Sequence, residues 1–225
     1  MLGFRGNAAW RDMSEYLVHF TKGTDGADGY QALLGILGSG TIEARNAFGM
    51  ARNMVHVSHT QACACFSEIP LEYLARLTDR RGSYFGLAFR KETVTAAGGG
   101  PVWYVEHPSM LGDWVEGVKD LALDPFVNDH PVWRLTPFVE RPGDYGGSSY
   151  RFEWEREWRV PGGMRFTPDQ VAFLFIPEEL HQAAGEFFRD AYQQNSGPAY
   201  FCPYIDPRWN HERLQHAFAR VAGSG

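Results

Sequence analysis

Apolar and polar positions alternate with period two in several short runs and recur at helical spacing in longer ones. The pattern predicts a mixture of strands and helices. Tyr16-Leu17-Val18-His19-Phe20-Thr21 is a compact strand signal, stopped by Lys22-Gly23. After a Gly/Asp-rich turn, Tyr30 to Leu37 carries apolar residues at helical spacing and ends at Gly38-Ser39-Gly40. Ala62 to Phe66 predicts the next strand, with Ser67 as N-cap of a helix whose stripe is Leu71, Leu74 and Leu77. Tyr84 to Phe89 reads as strand, and Gly98-Gly99-Gly100 as a hairpin connection into Pro101 to Val105. Ser109 to Leu121 reads as an amphipathic helix, and the loop-rich stretch from Asp124 to Gly147 holds a strand at Trp133 to Glu140. Val171 to Ile176 is nearly all apolar, as a strand covered on both faces would be. Pro177-Glu178-Glu179 opens a helix to about Tyr192, Ala199 to Tyr204 reads as strand, and Glu212 to Val221 as a closing helix.

One stretch stands apart. In Arg151 to Val160 the residues Phe152, Trp154, Trp158 and Val160 alternate with Glu153, Glu155, Glu157 and Arg159. The pattern predicts a half-buried strand with its aromatic face inward and a row of carboxylates opposite. Such a row repels itself unless cations or a ligand compensate, which makes it a candidate active-site strand. A solvated edge strand that uses charge against aggregation is the competing reading.

Composition narrows the class. A chain of 225 residues, 44% hydrophobic and 21% charged, suits one substantial globular domain. No repeat or second-domain boundary is visible, so 1–225 reads as a single α+β domain with a largely antiparallel or split sheet, residues 1–14 forming an N-terminal arm. The net charge of −6 gives no global basic field to draw in nucleic acid. Cys63, Cys65 and Cys202 are an odd number without metal-ligand spacing and read as structural thiols. With no leader and no membrane-length apolar run, the expectation is a cytoplasmic protein without membrane contact.

Several familiar chemistries fail on spacing. Gly98-Gly99-Gly100 lacks the Lys-Ser/Thr of a phosphate loop, and no Gly-x-Ser-x-Gly elbow accompanies Ser67. His56 and His59 have no ligand partner at supporting spacing, and His211 and His216 are too far apart to share a helix face, so no metal is expected. What remains are polar residues set in strand-like surroundings: His19, Tyr84, Glu155 and Glu157. Burying any of them unpaired would be costly.

Those residues fall in blocks that resemble a known group. His19-Phe20-Thr21 with Ile36-Leu37-Gly38-Ser39-Gly40 looks like the opening of ADP-ribosyltransferase-like families, among them DarT-type toxins and the AbiGi-type abortive-phage-resistance family. Cys65 to Pro70, Tyr84-Phe85-Gly86 and Glu155-Arg156-Glu157-Trp158-Arg159 resemble further AbiGi-type blocks, colinear over roughly residues 16 to 180. The arginine landmarks of DarT-type enzymes are not placeable. The resemblance implies an ADP-ribosyltransferase-like split sheet and NAD as the donor substrate, in a phage-defence or toxin–antitoxin setting. It leaves the acceptor open between nucleic acid, protein and small molecule, and allows a cognate toxin or antitoxin partner. It assigns Glu157 as the catalytic carboxylate, with Glu155 as the alternative or a helper orienting the acceptor. His19 and Thr21 would bind the adenosine-side ribose, Tyr84 would stack on the nicotinamide, and Ser67 would line the pocket unless it caps a helix. Arg159, less readily Arg52, would meet the pyrophosphate. A non-catalytic antitoxin or nucleotide sensor of the same fold is the rival expectation.

Overall fold

The computed structural model describes residues 13–22, 29–68, 70, 73–74, 78, 82–106, 108–123, 129–145, 148–150 and 155–222. In chain order the first strands are β1 (Tyr16–Phe20), β2 (Thr41–Ile42), β3 (Asn46–Ala47), β4 (Ala62–Ser67), β5 (Gly86–Arg90), β6 (Gly100–Pro101) and β7 (Trp103–Tyr104). They are followed by β8 (Val139–Glu140), β9 (Gly143–Tyr145), β10 (Ser148–Tyr150), β11 (Glu157–Pro161), β12 (Met164–Arg165), β13 (Val171–Phe175) and β14 (Tyr204–Ile205). The helices are α1 (Gly29–Ser39), α2 (Lys91–Ala96), α3 (Pro108–Leu123), α4 (His181–Gln193) and α5 (His211–Ala222). The chain divides into two compact units, Met1–Thr41 with Phe66–Thr93 and Arg165–Gly225, and Ile42–Cys65 with Val94–Met164. The division falls within β4.

In the first unit β1 runs antiparallel to β5, from Tyr16 opposite Arg90 to Phe20 opposite Gly86. It also pairs antiparallel with the end of β4, Val18 opposite Ser67. β13 is antiparallel to β5, and β14 is parallel to β13. Period-two alternation gives the strands two distinct faces. Tyr16, Val18, Ala88, Phe173 and Phe175 bury one face against Leu214 and Phe218 of α5. That helix starts where Asn210 accepts from the Arg213 backbone N–H at 2.9 Å, an N-cap bond, and its apolar stripe recurs at the helical period. The other face carries Leu17, Leu87 and Phe89, with the Phe66 and Phe166 rings edge-on to Phe89 at 6.1 and 5.1 Å.

In the second unit β3 pairs antiparallel with β4, β11 pairs antiparallel with β6, and β7 runs parallel to β8. Helix α3 sets Val118, Trp114 and Leu121 against Ala51, Val57 and Trp133. Both units mix helices with mostly antiparallel pairing, so the fold class is α+β.

Four sequence expectations need correction. Trp133 to Glu140 is mostly two 3₁₀ turns, Pro131–Arg134 and Thr136–Phe138, because His130 caps the first and Pro131 and Pro137 sit at their starts, where no N–H is required. Ala199 to Tyr204 is irregular until the short β14. Ser67 closes β4 rather than capping a helix. Glu155 lies in a turn, Arg156 takes φ 45°, and regular strand begins only at Glu157. Positions 151 to 154 and the stripe residues Leu71 and Leu77 lie outside the described residues.

Candidate functional site

The charged face of β11 is buried, against the sequence expectation, and Val160 on the opposite face is buried as well. Glu157 is 7% exposed and Arg159 2%, while Trp158 between them is only half-buried. Burying a carboxylate and a guanidinium is tolerable only if each finds partners. Arg159 donates from Nε to Glu157 Oε1 at 2.9 Å and from Nη2 to Oε2 at 3.0 Å, a bidentate fork. Its remaining N–H groups reach Glu140 Oε2 at 3.2 and 3.3 Å and the Pro137 carbonyl at 2.7 Å. The guanidinium also lies 4.6 Å from the Phe48 ring centre. Every donor of the Arg159 fork is thus used within the protein, and none is left for the pyrophosphate the resemblance gave it.

Glu140 collects the other half of the network. It accepts from Arg52 Nη1 at Oε1 and from the Gly49 backbone N–H at 3.2 Å. Two carboxylates therefore alternate with two guanidinium groups, and the buried charges balance. This is how Glu157, one carboxylate of the expected row, is compensated.

At Glu157 the Tyr104 hydroxyl donates to Oε2 at 2.8 Å, and the Cys65 thiol donates to the same carboxylate. With the two Arg159 bonds these fill the roughly four acceptor sites a carboxylate offers. Burial alone would raise the Glu157 pKa, but the Arg159 charge and the bonds from Arg159, Tyr104 and Cys65 outweigh it and hold Glu157 below the usual carboxylate range. Burial, then the Glu157 anion, pushes the Tyr104 phenol and the Cys65 thiol upward, so both stay protonated as donors. The site presents a fixed, ionised and oriented carboxylate. Glu155, 3% exposed, stands two residues ahead, and the left-handed turn at Arg156 breaks the alternation that would have put both on one strand face.

The remaining candidates lie in the first unit. His19, opposite Leu87 on β1, sits with its ring 5.7 Å from Phe66. Thr21 is buried and donates its hydroxyl to the Gly29 carbonyl at 2.7 Å, tying the end of β1 to the start of α1. Ser67 is buried at the β4 end, opposite Val18. Tyr84 is 38% exposed just ahead of β5, with the Arg208 guanidinium 5.4 Å from its ring centre.

Sequence reading missed Tyr104, Glu140, Cys65 and Arg208 as parts of these arrangements. Glu140 carried a usable signal, an acid at the end of an apolar stretch, the criterion that selected His19. Tyr104 and Arg208 carried none, since each meets its partner only through pairing of residues distant in the chain. Among the described residues no cluster of His, Cys, Asp or Glu fits a metal. No family model, curated protein or solved structure matches the chain.

Proposed function

We propose that the chain is an ADP-ribosyltransferase-like protein that takes NAD as donor and acts in the bacterial cytoplasm, in phage defence or a toxin–antitoxin pair. The observation that carries this reading is that the colinear blocks of the resemblance fall on or beside strands of mostly antiparallel pairing. His19 lies on β1, Ser67 ends β4, Tyr84 precedes β5, and Glu157 begins β11.

The chemistry asked of the site is cleavage of the nicotinamide–ribose bond. Nicotinamide leaves as a neutral molecule with the bonding pair, and positive charge develops on the sugar, as in glycoside cleavage. A new bond from C1′ to the acceptor nucleophile completes the transfer, and the acceptor's proton passes to a carboxylate or to solvent. A fixed anion beside the sugar stabilises that charge without reorganising. Glu157 has this character, and Arg159, with Glu140 and Arg52 behind it, positions the carboxylate rather than binding phosphate. The Tyr104 hydroxyl occupies the place at Oε2 that a ribose hydroxyl would take, so substrate binding exchanges one hydroxyl donor for another. Glu155 remains the alternative carboxylate.

The saturation of Glu157 also favours a second reading, a protein of the same descent that binds a nucleotide or a partner toxin without turnover. One experiment separates them: NAD binding by calorimetry alongside nicotinamide release followed by NMR, with and without cell lysate. Release supports the transferase, and saturable binding without release in either condition supports the non-catalytic binder. A chain that neither binds nor cleaves NAD contradicts the proposed use of NAD.

A further inference from the structure

Helices α1 and α4 both end at one cavity of the first unit, about 580 Å³ in volume. Leu34 and Leu37 of α1, Phe187 and Phe188 of α4, and Pro198 and Tyr200 of the segment after α4 supply its apolar walls. The buried Tyr200 donates its hydroxyl to the Leu37 carbonyl at 2.7 Å, and its ring meets Phe188 edge-on at 5.4 Å. These walls are therefore fixed to one another. The chain beyond α4 is folded back by bonds from the Gln194, Asn195 and Ser196 N–H groups to the Asp190, Tyr192 and Ala191 carbonyls, with Asn195 at φ 50°. That turn brings Gly197 and Pro198 onto the cavity wall. The space is pre-formed and falls within the roughly 300–1,000 Å³ of clefts that hold small organic molecules.

Charge decides which molecules suit it. Among the described residues Asp190 is the one charged side chain on the wall, and its carboxylate makes no hydrogen bond or ion pair with them. The last turns of the two helices, Ile36 to Ser39 and Asp190 to Gln193, contain no Lys, Arg or His. A helix C-terminus carries the negative end of the dipole, where a cation is favoured and an acid is not. Asp190 thus adds to the negative potential of the helix ends instead of offsetting it. Arg189 is its neighbour in the chain but stands off the cavity wall, where its charge acts on Tyr204. Aromatic walls beside a carboxylate also suit an ammonium group, which is attracted to ring faces.

We infer that this cavity binds a small organic cation, an apolar ring-sized body carrying an ammonium group, with Asp190 as the counter-ion. The Leu, Phe and Pro walls take the apolar body, and the carboxylate takes the ammonium. The same charges disfavour an anion of equal size. None of these residues is given a ligand by the resemblance, and the inference does not rest on the proposed use of NAD. Gly38 offers a way to close the site. It lies on the cavity wall, and a Cβ added there meets nothing within 4 Å, so leucine suits the helix and extends into open space at the wall.

The test titrates the full chain by calorimetry with three probes that share one ring system and differ in charge: tryptamine, indole-3-ethanol and indole-3-acetate. The expected order of affinity is tryptamine, then the alcohol, then the carboxylate. Asp190→Asn should weaken tryptamine about fivefold, the scale of an exposed ion pair, and leave the alcohol unchanged. Gly38→Leu should weaken tryptamine and the alcohol together, because it takes up space both require. Asp190 is exposed and Gly38 has room around it, so both variants are expected to fold, as circular dichroism would verify. Three results overturn the inference: no saturable binding of tryptamine, indole-3-acetate binding as tightly as tryptamine, or tryptamine affinity unchanged in either folded variant. The last would place the probe elsewhere on the chain.

Discussion

Arg159 reaches two carboxylates and a backbone carbonyl from a single buried position, and losing it would strand both Glu157 and Glu140 without their shared cation. Breaking a buried ion pair on one side costs about 3–5 kcal/mol. Arg159→Ala is therefore expected to lower unfolding stability by about that amount in urea titration, and Arg159→Lys to recover only part, because a point charge cannot bridge both partners as the planar fork does. The Glu157 pKa gives a second readout. Its folded value lies below the ordinary one, so the carboxylate's contribution is complete above the unfolded pKa of roughly 4.3 and is lost as pH falls through the folded value. The difference in urea midpoint between wild type and Glu157→Gln should be largest near neutrality and shrink below about pH 4. In the first unit the buried Tyr16 hydroxyl has no hydrogen-bond partner among the described residues. An unsatisfied buried group costs about 1–3 kcal/mol, so Tyr16→Phe should be neutral to stabilising in thermal melts, whereas a destabilised variant would mean that the hydroxyl is paired in solution.

At the scale of elements, the sequence showed most strands and helices where apolar periodicity was strong. β1, α1, β4, β13, α4 and α5 lie within a residue or two of their predicted bounds, apart from the 3₁₀ turn Glu178–Leu180 at the α4 entry. It misread the stretches where polar residues turn inward. At β11 the expected inward face is covered, with Val160 fully buried, but the charged face is buried too: Glu157 and Arg159 could go inside only because Glu140, Tyr104 and Cys65 come from other strands to meet them. No local pattern contains that information. Gly49 shows how a loop serves the same network. It adopts φ 76°, its N–H donates to Glu140, and an added Cβ would come within 2.0 Å of the Thr136 carbonyl oxygen. Gly49→Ala must therefore shift backbone as well as strain it, and should cost at least about 2 kcal/mol and loosen Glu140. An unchanged melting temperature would show that the loop adjusts freely.

At the scale of the whole molecule, the cysteines give a readout that composition alone does not. No helix among the described residues is long and apolar enough to cross a membrane, and none of the three cysteines forms a disulfide. Burial raises the Cys63 and Cys202 thiols to about 12 and Cys65 well upward. A thiolate is the reactive form, so native protein at about pH 8 should react slowly with a disulfide reagent and all three thiols should titrate once it is unfolded in urea. Rapid reaction in the native state would contradict the placement of these groups. Of the candidate site, the alternation grouped Glu155, Glu157 and Arg159 on one strand face, and the resemblance gave Arg159 a pyrophosphate that its partners in the fold preclude. The nicotinamide and ribose positions rest on the resemblance, since nothing in the spacing of His19, Thr21 and Tyr84 specifies a ligand.

The most direct test of the central claim is the rate of nicotinamide release from NAD by wild type and by Glu157→Gln, each at a temperature where circular dichroism shows it folded. If Glu157 is the anion that stabilises the cleaving sugar, the wild-type rate should fall by about 10²–10³ in the variant. A folded Glu157→Gln chain that releases nicotinamide at the wild-type rate would contradict that role and leave Glu157 as a structural keystone of the second unit.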